Sequence, residues 1–192
     1  CQNAHGNGIL GFENRGFRTI VGPAENRSFV DSPCIMCGQC VSVCPTGALM
    51  EKSEISKVDD AFRAGKYVVV QTAPAVRAAW GESLGLSQDK ATEKRLAAAI
   101  RAMGVKHVFD TTFSADLTIL EESSEFIERF THSETSKLPM FTSCCPGWVR
   151  FLRTEYPELA GNLSTAKSPQ QMFGAIAKSY YAKLLEKEPK DI

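Results

Sequence analysis

Short apolar runs alternate with longer amphipathic segments through the second part of the chain. The aromatic and β-branched run at 67–70 predicts a buried strand, and shorter runs at 106–109 and 140–142 predict two more. Segments with helical character surround them. These segments span 57–65, 91–103, 115–130, 148–156 and 169–186. Strands separated by helices predict a mostly parallel α/β sheet with flanking helices.

The first 54 residues have a different composition. Glycine, proline and asparagine are frequent there, and the apolar pieces, such as 8–10 and 18–21, are short. We therefore expect a small α+β module whose fold depends on bound metal. The sequence predicts two domains, this module at residues 1–54 and an incomplete α/β sheet domain at residues 55–192. The fold class is thus α/β, with a small α+β module in front.

Composition excludes several classes of protein. The 192 residues are 43% hydrophobic and 23% charged, which is typical of a globular protein. Lysine plus arginine and aspartate plus glutamate number 22 each, so there is no basic field for nucleic acid. No apolar run reaches the length of a membrane span. We expect neither nucleic acid nor membrane as a partner.

The cysteines form a pattern that indicates metal binding. Cys34, Cys37, Cys40 and Cys44, followed by Pro45, have the C-x2-C-x2-C-x3-C-P spacing of bacterial-ferredoxin 4Fe–4S clusters. Zinc sites usually separate their paired cysteines by a long gap, so zinc fits poorly. Thiolates that bind metal also favour a reducing compartment, and we expect a cytoplasmic location.

The fourth cysteine of such a run binds the other cluster in two-cluster ferredoxins. We therefore expect Cys1 to complete one 4Fe–4S cluster with Cys34, Cys37 and Cys40. Cys44 is then a ligand of a second cluster, whose other ligands lie before residue 1. The alternative is that Cys1 is a stray terminal thiol.

Polar or reactive residues follow each predicted strand, where ligands gather in parallel sheets. These loops are 71–74, 110–112 and 143–148, and the last contains the adjacent Cys144 and Cys145. Neighbouring side chains do not readily point into one small site, so we expect the two cysteines to have different roles. A buried structural pair is the alternative interpretation.

The loop reads Thr-Ser-Cys-Cys-Pro-Gly-Trp at 142–148 and is followed by Leu-Ser-Thr-Ala-Lys-Ser-Pro-Gln-Gln at 163–171. Both segments, together with 71–77 and 109–118, resemble iron-only (FeFe) hydrogenases. That family binds the H-cluster, in which a 4Fe–4S cubane is joined to a di-iron unit.

The resemblance implies a role for each residue of the H-cluster site. Cys145 is implied as a ligand of the cubane and Cys144 as the proton-exchanging thiol. Residues around the di-iron unit are implied to be Ala73, Pro74, Ser168 and Gln170.

The resemblance also implies a proton relay, which passes through Cys144, Glu122, Ser164, Glu125 and Arg129. Helical spacing supports part of it, because the two glutamates and the arginine stand at i, i+3 and i+7 on one helix. Glu121 and Glu128 are expected to face away from them. The alternative is a row of charges on an ordinary solvated helix face.

The chain departs from the family pattern as well. It lacks a Met-Pro-Cys motif with a lysine and a later pair of cysteines, so it offers only Cys145 of the four cubane thiolates. We therefore expect a fragment of a larger catalytic subunit, inactive alone. The intact protein is expected to interconvert H2 with protons and electrons, which pass through 4Fe–4S clusters to ferredoxin or to NAD(P)-linked flavoprotein or iron–sulfur subunits.

Two other functions stay open from the sequence. The first is that the chain is a pure 4Fe–4S electron-transfer module. The second is that it is one of the hydrogenase-like proteins of iron–sulfur assembly. The double-cysteine loop argues against the first of these. Assembly proteins typically lack the proton-exchanging cysteine, so Cys144 argues against the second.

Overall fold

A computed structural model describes residues 1–132, 134 and 137–192. The chain forms two compact units, Cys1–Ser53 with His132–Ser164 and Glu54–Thr131 with Thr165–Ile192. These units are not continuous in sequence, because residues 132–164 group with the N-terminal segment. The domain boundary expected after residue 54 stays a prediction.

The strands are short and the helices vary widely in length. The strands are β1 (Leu10–Glu13), β2 (Ile20–Pro23), β3 (Val69–Thr72) and β4 (His107–Asp110). The helices are α1 (Gln2–His5), α2 (Gln39–Ser42), α3 (Ile55–Arg63), α4 (Pro74–Ala79), α5 (Glu93–Ala102), α6 (Thr112–Thr131), α7 (Pro146–Glu155), α8 (Pro169–Ile176) and α9 (Ala182–Leu184). None of the described helices combines the length and apolar character needed to cross a membrane.

The unit that contains the N-terminus is built on an antiparallel hairpin and on α7. Strands β1 and β2 pair with Leu10 opposite Pro23 and Glu13 opposite Ile20. Leu152 of α7 is almost completely buried, with 1% of its surface exposed. This unit contains all seven cysteines of the chain.

The third strand predicted at 140–142 is reduced to a single parallel bridge between Phe141 and Leu163. The backbone explains this outcome. Pro139, two residues before Phe141, has no N–H to donate, and its carbonyl accepts the Asn162 side-chain amide at 2.8 Å. The ladder therefore cannot extend by backbone pairing through Pro139.

The other unit is built on the parallel pair β3 and β4, with Val69 opposite His107 and Thr72 opposite Asp110. Both strands were predicted, and each begins one or two residues later than its apolar run. The run at 67–70 loses its first pairing because the Tyr67 N–H donates to the Asp191 carbonyl instead, at 2.7 Å. The α/β class is confirmed, with parallel strands separated by helices.

Aromatic contacts attach β4 to the C-terminal helices of this unit. The Phe109 ring lies 5.3 Å from that of Phe173 and 5.1 Å from that of Tyr181, centroid to centroid. The helix predicted at 169–186 is present as α8, a π-helical turn at Ala177–Tyr181, and α9.

Helix α6 packs against α8 and buries two small polar side chains. Ser114 and Thr118 are almost fully buried, and their hydroxyl groups donate to backbone carbonyls one turn earlier. The Lys167 carbonyl lies 3.4 Å from the Thr118 hydroxyl oxygen and shares the hydroxyl hydrogen with the Ser114 carbonyl. By contrast, most large apolar side chains of α6 are exposed. The exposed ones are Phe113, Ile119, Leu120, Phe126, Ile127 and Phe130.

Asp110 caps α6, and its replacement is expected to destabilise the fold. Its carboxylate accepts the Thr112 N–H at 2.8 Å and the Thr112 hydroxyl at 2.6 Å, and it pairs with Arg77. Partial burial raises the pKa of Asp110, but these hydrogen bonds and the arginine charge outweigh it, so the pKa lies below its ordinary value. Asp110→Asn keeps an oxygen that can accept from Thr112 but removes the charge that pairs with Arg77, so we expect it to lower the free energy of unfolding by about 1–2 kcal/mol in urea titrations at neutral pH.

The effect of this substitution should depend on pH. A lowered folded-state pKa contributes stability above the ordinary carboxyl pKa of about 3.9, and this stability is lost as pH falls through the folded-state value. The difference between Asp110→Asn and the wild type should therefore shrink below about pH 4. Asp89→Asn, at an exposed loop position, is the control. A loss of the same size in both variants would contradict a specific stabilising role for the charge of Asp110.

Candidate functional site

The cysteine run turns sharply between its first three thiols. Met36 and Gly38 both have left-handed backbone conformations, with φ of 57° and 74°. A Cβ at position 38 would contact nothing within 4 Å, so the backbone angle is the reason for glycine there. The Met36 N–H donates to the Cys34 sulfur at 3.4 Å. Amide hydrogen bonds to sulfur are typical of protein iron–sulfur sites, so the loop fits such a cluster.

Cys44 lies in a hydrogen-bonding loop that favours its thiolate. Backbone hydrogen bonding from Leu49 has the largest effect, followed by the hydroxyl and backbone of Thr46, and together they lower the pKa of Cys44 to about 7. The thiolate is the form that binds metal. The predicted ligand role of Cys44 is therefore consistent with its surroundings.

All seven cysteines are free thiols, and Cys1 is half-buried at the start of α1. Within residues 1–132, 134 and 137–192, no three His, Cys, Asp or Glu side chains converge on one point that could hold a metal ion. A four-iron cluster binds one thiolate at each iron, so its ligands need not converge in this way. The set Cys1, Cys34, Cys37 and Cys40 stays a prediction.

The double-cysteine loop leads directly into α7. Cys145 occupies the position before the helix and Pro146 begins it, which is where proline is favoured. The Trp148 indole N–H holds the preceding loop through the Thr142 carbonyl. Both Cys144 and Cys145 are exposed.

Cys145 and Cys37 line the same open cleft, which has a volume of about 540 Å³. Around it are mainly apolar residues: Ile35, Met36, Pro146, Trp148 and Phe151, together with His5 and Gly147. Cys145 is one of the described residues that line this cleft, and Cys144 is not among them. The sequence could not predict this juxtaposition, because the two cysteines lie far apart in the chain.

Three of the predicted relay residues lie on α6. Glu125 and Arg129 form an ion pair at 2.5 Å, with side chains only 16% and 14% exposed. The Glu125 carboxylate also accepts the Thr165 N–H at 3.0 Å. Among the described residues, Glu122 Oε1 is buried and has no hydrogen-bond partner. A buried carboxylate oxygen without a partner is costly, so its retention supports a functional role.

The expectation that Glu121 and Glu128 face away from the relay is wrong for Glu125. All three glutamates line one open cleft of about 680 Å³. The helix explains this, because residues at i, i+4 and i+7 also share a face. Glu125 therefore lies at the border between two faces of α6. It shares one face with Glu121 and Glu128 and the other with Glu122 and Arg129.

The other predicted relay residues, Ser164 and Cys144, belong to the other compact unit. Ser164 is 7% exposed, and its backbone N–H donates to the Phe141 carbonyl at 2.7 Å. The continuity of the relay from Cys144 to Arg129 stays a prediction.

The residues expected around the di-iron unit lie at two helix starts. Ala73 and Pro74 are exposed at the beginning of α4. Ser168 begins α8 in a capping box, in which its hydroxyl accepts the Gln171 N–H and Gln171 accepts the Ser168 N–H. Ser168 therefore has a structural role, and its predicted cofactor contact, like that of the exposed Gln170, stays a prediction.

Comparison with known families agrees with the sequence motifs. Residues 29–50 match the 4Fe-4S binding domain family, and residues 66–192 match the family described as iron only hydrogenase large subunit, C-terminal domain. The chain belongs to the iron-only hydrogenase large-subunit family. The 4Fe-4S match also supports iron–sulfur cofactors for this hydrogenase-family chain.

Individual relatives give the same result. The chain is 52% identical over 190 residues to the NADP-reducing hydrogenase subunit HndD of Solidesulfovibrio fructosivorans, covering 96% of this chain and 32% of that protein. It is 42% identical over 197 residues to iron hydrogenase 1 of Clostridium pasteurianum, covering 100% and 34%. The chain spans about a third of the length of these relatives.

The fold is shared with solved structures of the family. A variant of the [FeFe]-hydrogenase HydA1 from Chlamydomonas reinhardtii aligns with a TM-score of 0.68 and 46% identity, over 73% of this chain and 36% of that one. The resemblance inferred from the double-cysteine motif is confirmed. The residues of this iron-only hydrogenase chain also fit the expected groups. Free thiols stand at all the predicted ligand positions, and a buried carboxylate oxygen of α6 has no partner among the described residues.

Proposed function

We propose that this chain is part of the large subunit of an FeFe hydrogenase, which interconverts H2 with protons and electrons. The observation that supports it most directly is the cleft shared by Cys37 of the ferredoxin-type run and Cys145 of the double-cysteine loop. A pure electron carrier needs the run alone. A hydrogenase needs both, because electrons must reach the site where hydrogen reacts.

The two adjacent cysteines then have different roles. Cys145 binds the cubane of the H-cluster, and the H-cluster supplies the redox chemistry of hydrogen when it is bound. Cys144 keeps a free thiol, which takes and returns protons at its sulfur; a metal-bound thiolate does not do so readily. Both residues are exposed, and only Cys145 of the two is among the described residues that line the cleft with Cys37, which supports this division of roles.

Protons then move along the relay of Cys144, Glu122, Ser164, Glu125 and Arg129. Support comes from α6, where the Glu122 carboxylate has a buried oxygen without a partner among the described residues. Such an oxygen is available to accept a proton. Arg129 and the Thr165 N–H hold the Glu125 carboxylate in one orientation.

Electrons enter or leave through the clusters of the cysteine run. We propose an NADP-linked redox partner, because HndD, the relative with 52% identity, is named as an NADP-reducing hydrogenase subunit. Ferredoxin is the other candidate partner. Electron transfer from each reduced partner to the intact subunit, followed by absorbance spectroscopy, would distinguish them.

The proposed activity is tested on the intact large subunit, produced with its H-cluster. The wild-type subunit should evolve hydrogen from a chemically reduced dye, and Cys145→Ala should evolve none and contain less iron. The matched control is Arg153→Gln, at an exposed position of α7 away from the loop. An intact wild-type subunit that holds its iron–sulfur clusters but evolves and oxidises no hydrogen would contradict the proposal and favour an iron–sulfur assembly protein.

A further inference from the structure

Arg150 joins the helix of the double-cysteine loop to the start of the cysteine run. Its Nε donates to the Cys34 carbonyl at 2.8 Å, and its Nη2 donates to the carbonyls of Ser32 at 3.1 Å and Val30 at 3.2 Å. The guanidinium is planar and rigid, so three acceptors on one group fix the path of the segment 30–34. Arg150 itself is half-buried in the same compact unit.

The acceptors of Arg150 are in turn connected to the thiols. Ser32 is 8% exposed, and its hydroxyl accepts the Cys34 N–H at 3.3 Å. The Cys34 sulfur accepts the Met36 N–H. Arg150 thus fixes the backbone of Ser32 and Cys34, and further hydrogen bonds of these two residues hold the first thiol of the run, as is typical of groups that orient metal ligands.

A close backbone contact lies beside this arginine. A Cβ on Gly147 would lie 3.2 Å from the Ile35 carbonyl oxygen and 3.8 Å from the Cys145 sulfur. Glycine therefore lets the first turn of α7 approach the run directly. The contact and the three hydrogen bonds of Arg150 hold the segment of Cys37 against the segment of Cys145, around the shared cleft.

We propose that Arg150 is a positioning residue, which sets the separation between the iron–sulfur cluster on the cysteine run and the cubane on Cys145. This inference rests on the proposed function. In the transfer between them, one electron leaves the reduced cluster and one enters the oxidised cubane, and no bond forms or breaks. The contribution of the protein is therefore the distance and the orientation, since the rate of electron transfer falls steeply with distance.

The first experiment uses the 192-residue chain reconstituted with iron and sulfide. Arg150→Gln should increase the rate at which a chelator removes the cluster by about tenfold, and Arg150→Lys should recover part of the loss. Arg153→Gln removes the same charge from an exposed position of the same helix and should match the wild type. Wild-type rates of cluster loss in Arg150→Gln would overturn the inference.

The second experiment separates positioning from stability. In the intact large subunit, EPR measures the magnetic coupling between the reduced cluster of the run and the H-cluster. Arg150→Gln should weaken this coupling, and so should Gly147→Ala, which leaves Arg150 and every cysteine in place. Unchanged coupling in both variants would overturn the inference. A wild-type chain that takes up no cluster would instead overturn the proposed function, and this inference with it.

Discussion

Replacing Glu122 with glutamine is expected to lower hydrogen evolution by the intact large subunit about a hundredfold or more. A glutamine has nearly the same shape as glutamate but cannot take up and release a proton. The structure leaves Glu122 Oε1 buried without a hydrogen-bond partner among the described residues, so the amide replaces a group that is available for proton transfer. Iron content and the EPR spectrum should match the wild type.

The control for this variant is Glu121→Gln, which makes the same chemical change at an exposed position of the same helix. It should evolve hydrogen at the wild-type rate. Hydrogen evolution by Glu122→Gln at the wild-type rate would contradict the relay. A loss of iron from Glu122→Gln would instead mean that the carboxylate stabilises the fold.

Replacing Cys144 with alanine should lower turnover by a similar or larger factor, about a hundredfold to ten-thousandfold. The reason is that the proposed relay begins with the thiol of this residue, and alanine carries no exchangeable proton on its side chain. The cubane should remain, since Cys145 is its proposed ligand. Hydrogen evolution and iron quantitation on the same preparation measure both effects.

The neighbouring residue provides the matched comparison. Cys145→Ala also removes one exposed thiol from the same loop, but it should lose cubane iron as well as activity. Both variants should therefore lose turnover, but only Cys145→Ala should lose iron. Equal iron loss in both would contradict the division of roles between the adjacent cysteines, because it would make both thiols ligands.

Much of the fold was predictable because its signals are local. The parallel strands at β3 and β4 follow from short apolar runs, and α6 and α7 begin within three residues of their predicted starts. The predicted third strand failed for a reason that is not local. The Pro139 carbonyl accepts the side chain of Asn162, 23 residues later, and hydrophobicity does not report such competition.

The candidate site was also predictable only in its local features. The spacing of the cysteine run and the double-cysteine loop both indicated iron–sulfur chemistry, because ligand spacing is a property of consecutive residues. Glu125 was placed correctly beside Arg129, since residues at i and i+4 are neighbours on any helix. The sequence analysis missed that Glu125 also lines a cleft together with Glu121 and Glu128. Helical spacing shows which residues are neighbours, but it does not show which face of the helix borders a cleft.

The sequence by itself determined the family and the chemistry: thiolates for iron–sulfur clusters and a motif specific to iron-only hydrogenases. The tertiary structure alone decided which of these residues meet. It placed Cys37 and Cys145 on one cleft, put Arg150 between their segments, and buried one oxygen of Glu122. The physical reason is that metal-ligand spacing and helical periodicity act between near neighbours, whereas a shared cleft depends on packing between residues that are distant in the chain.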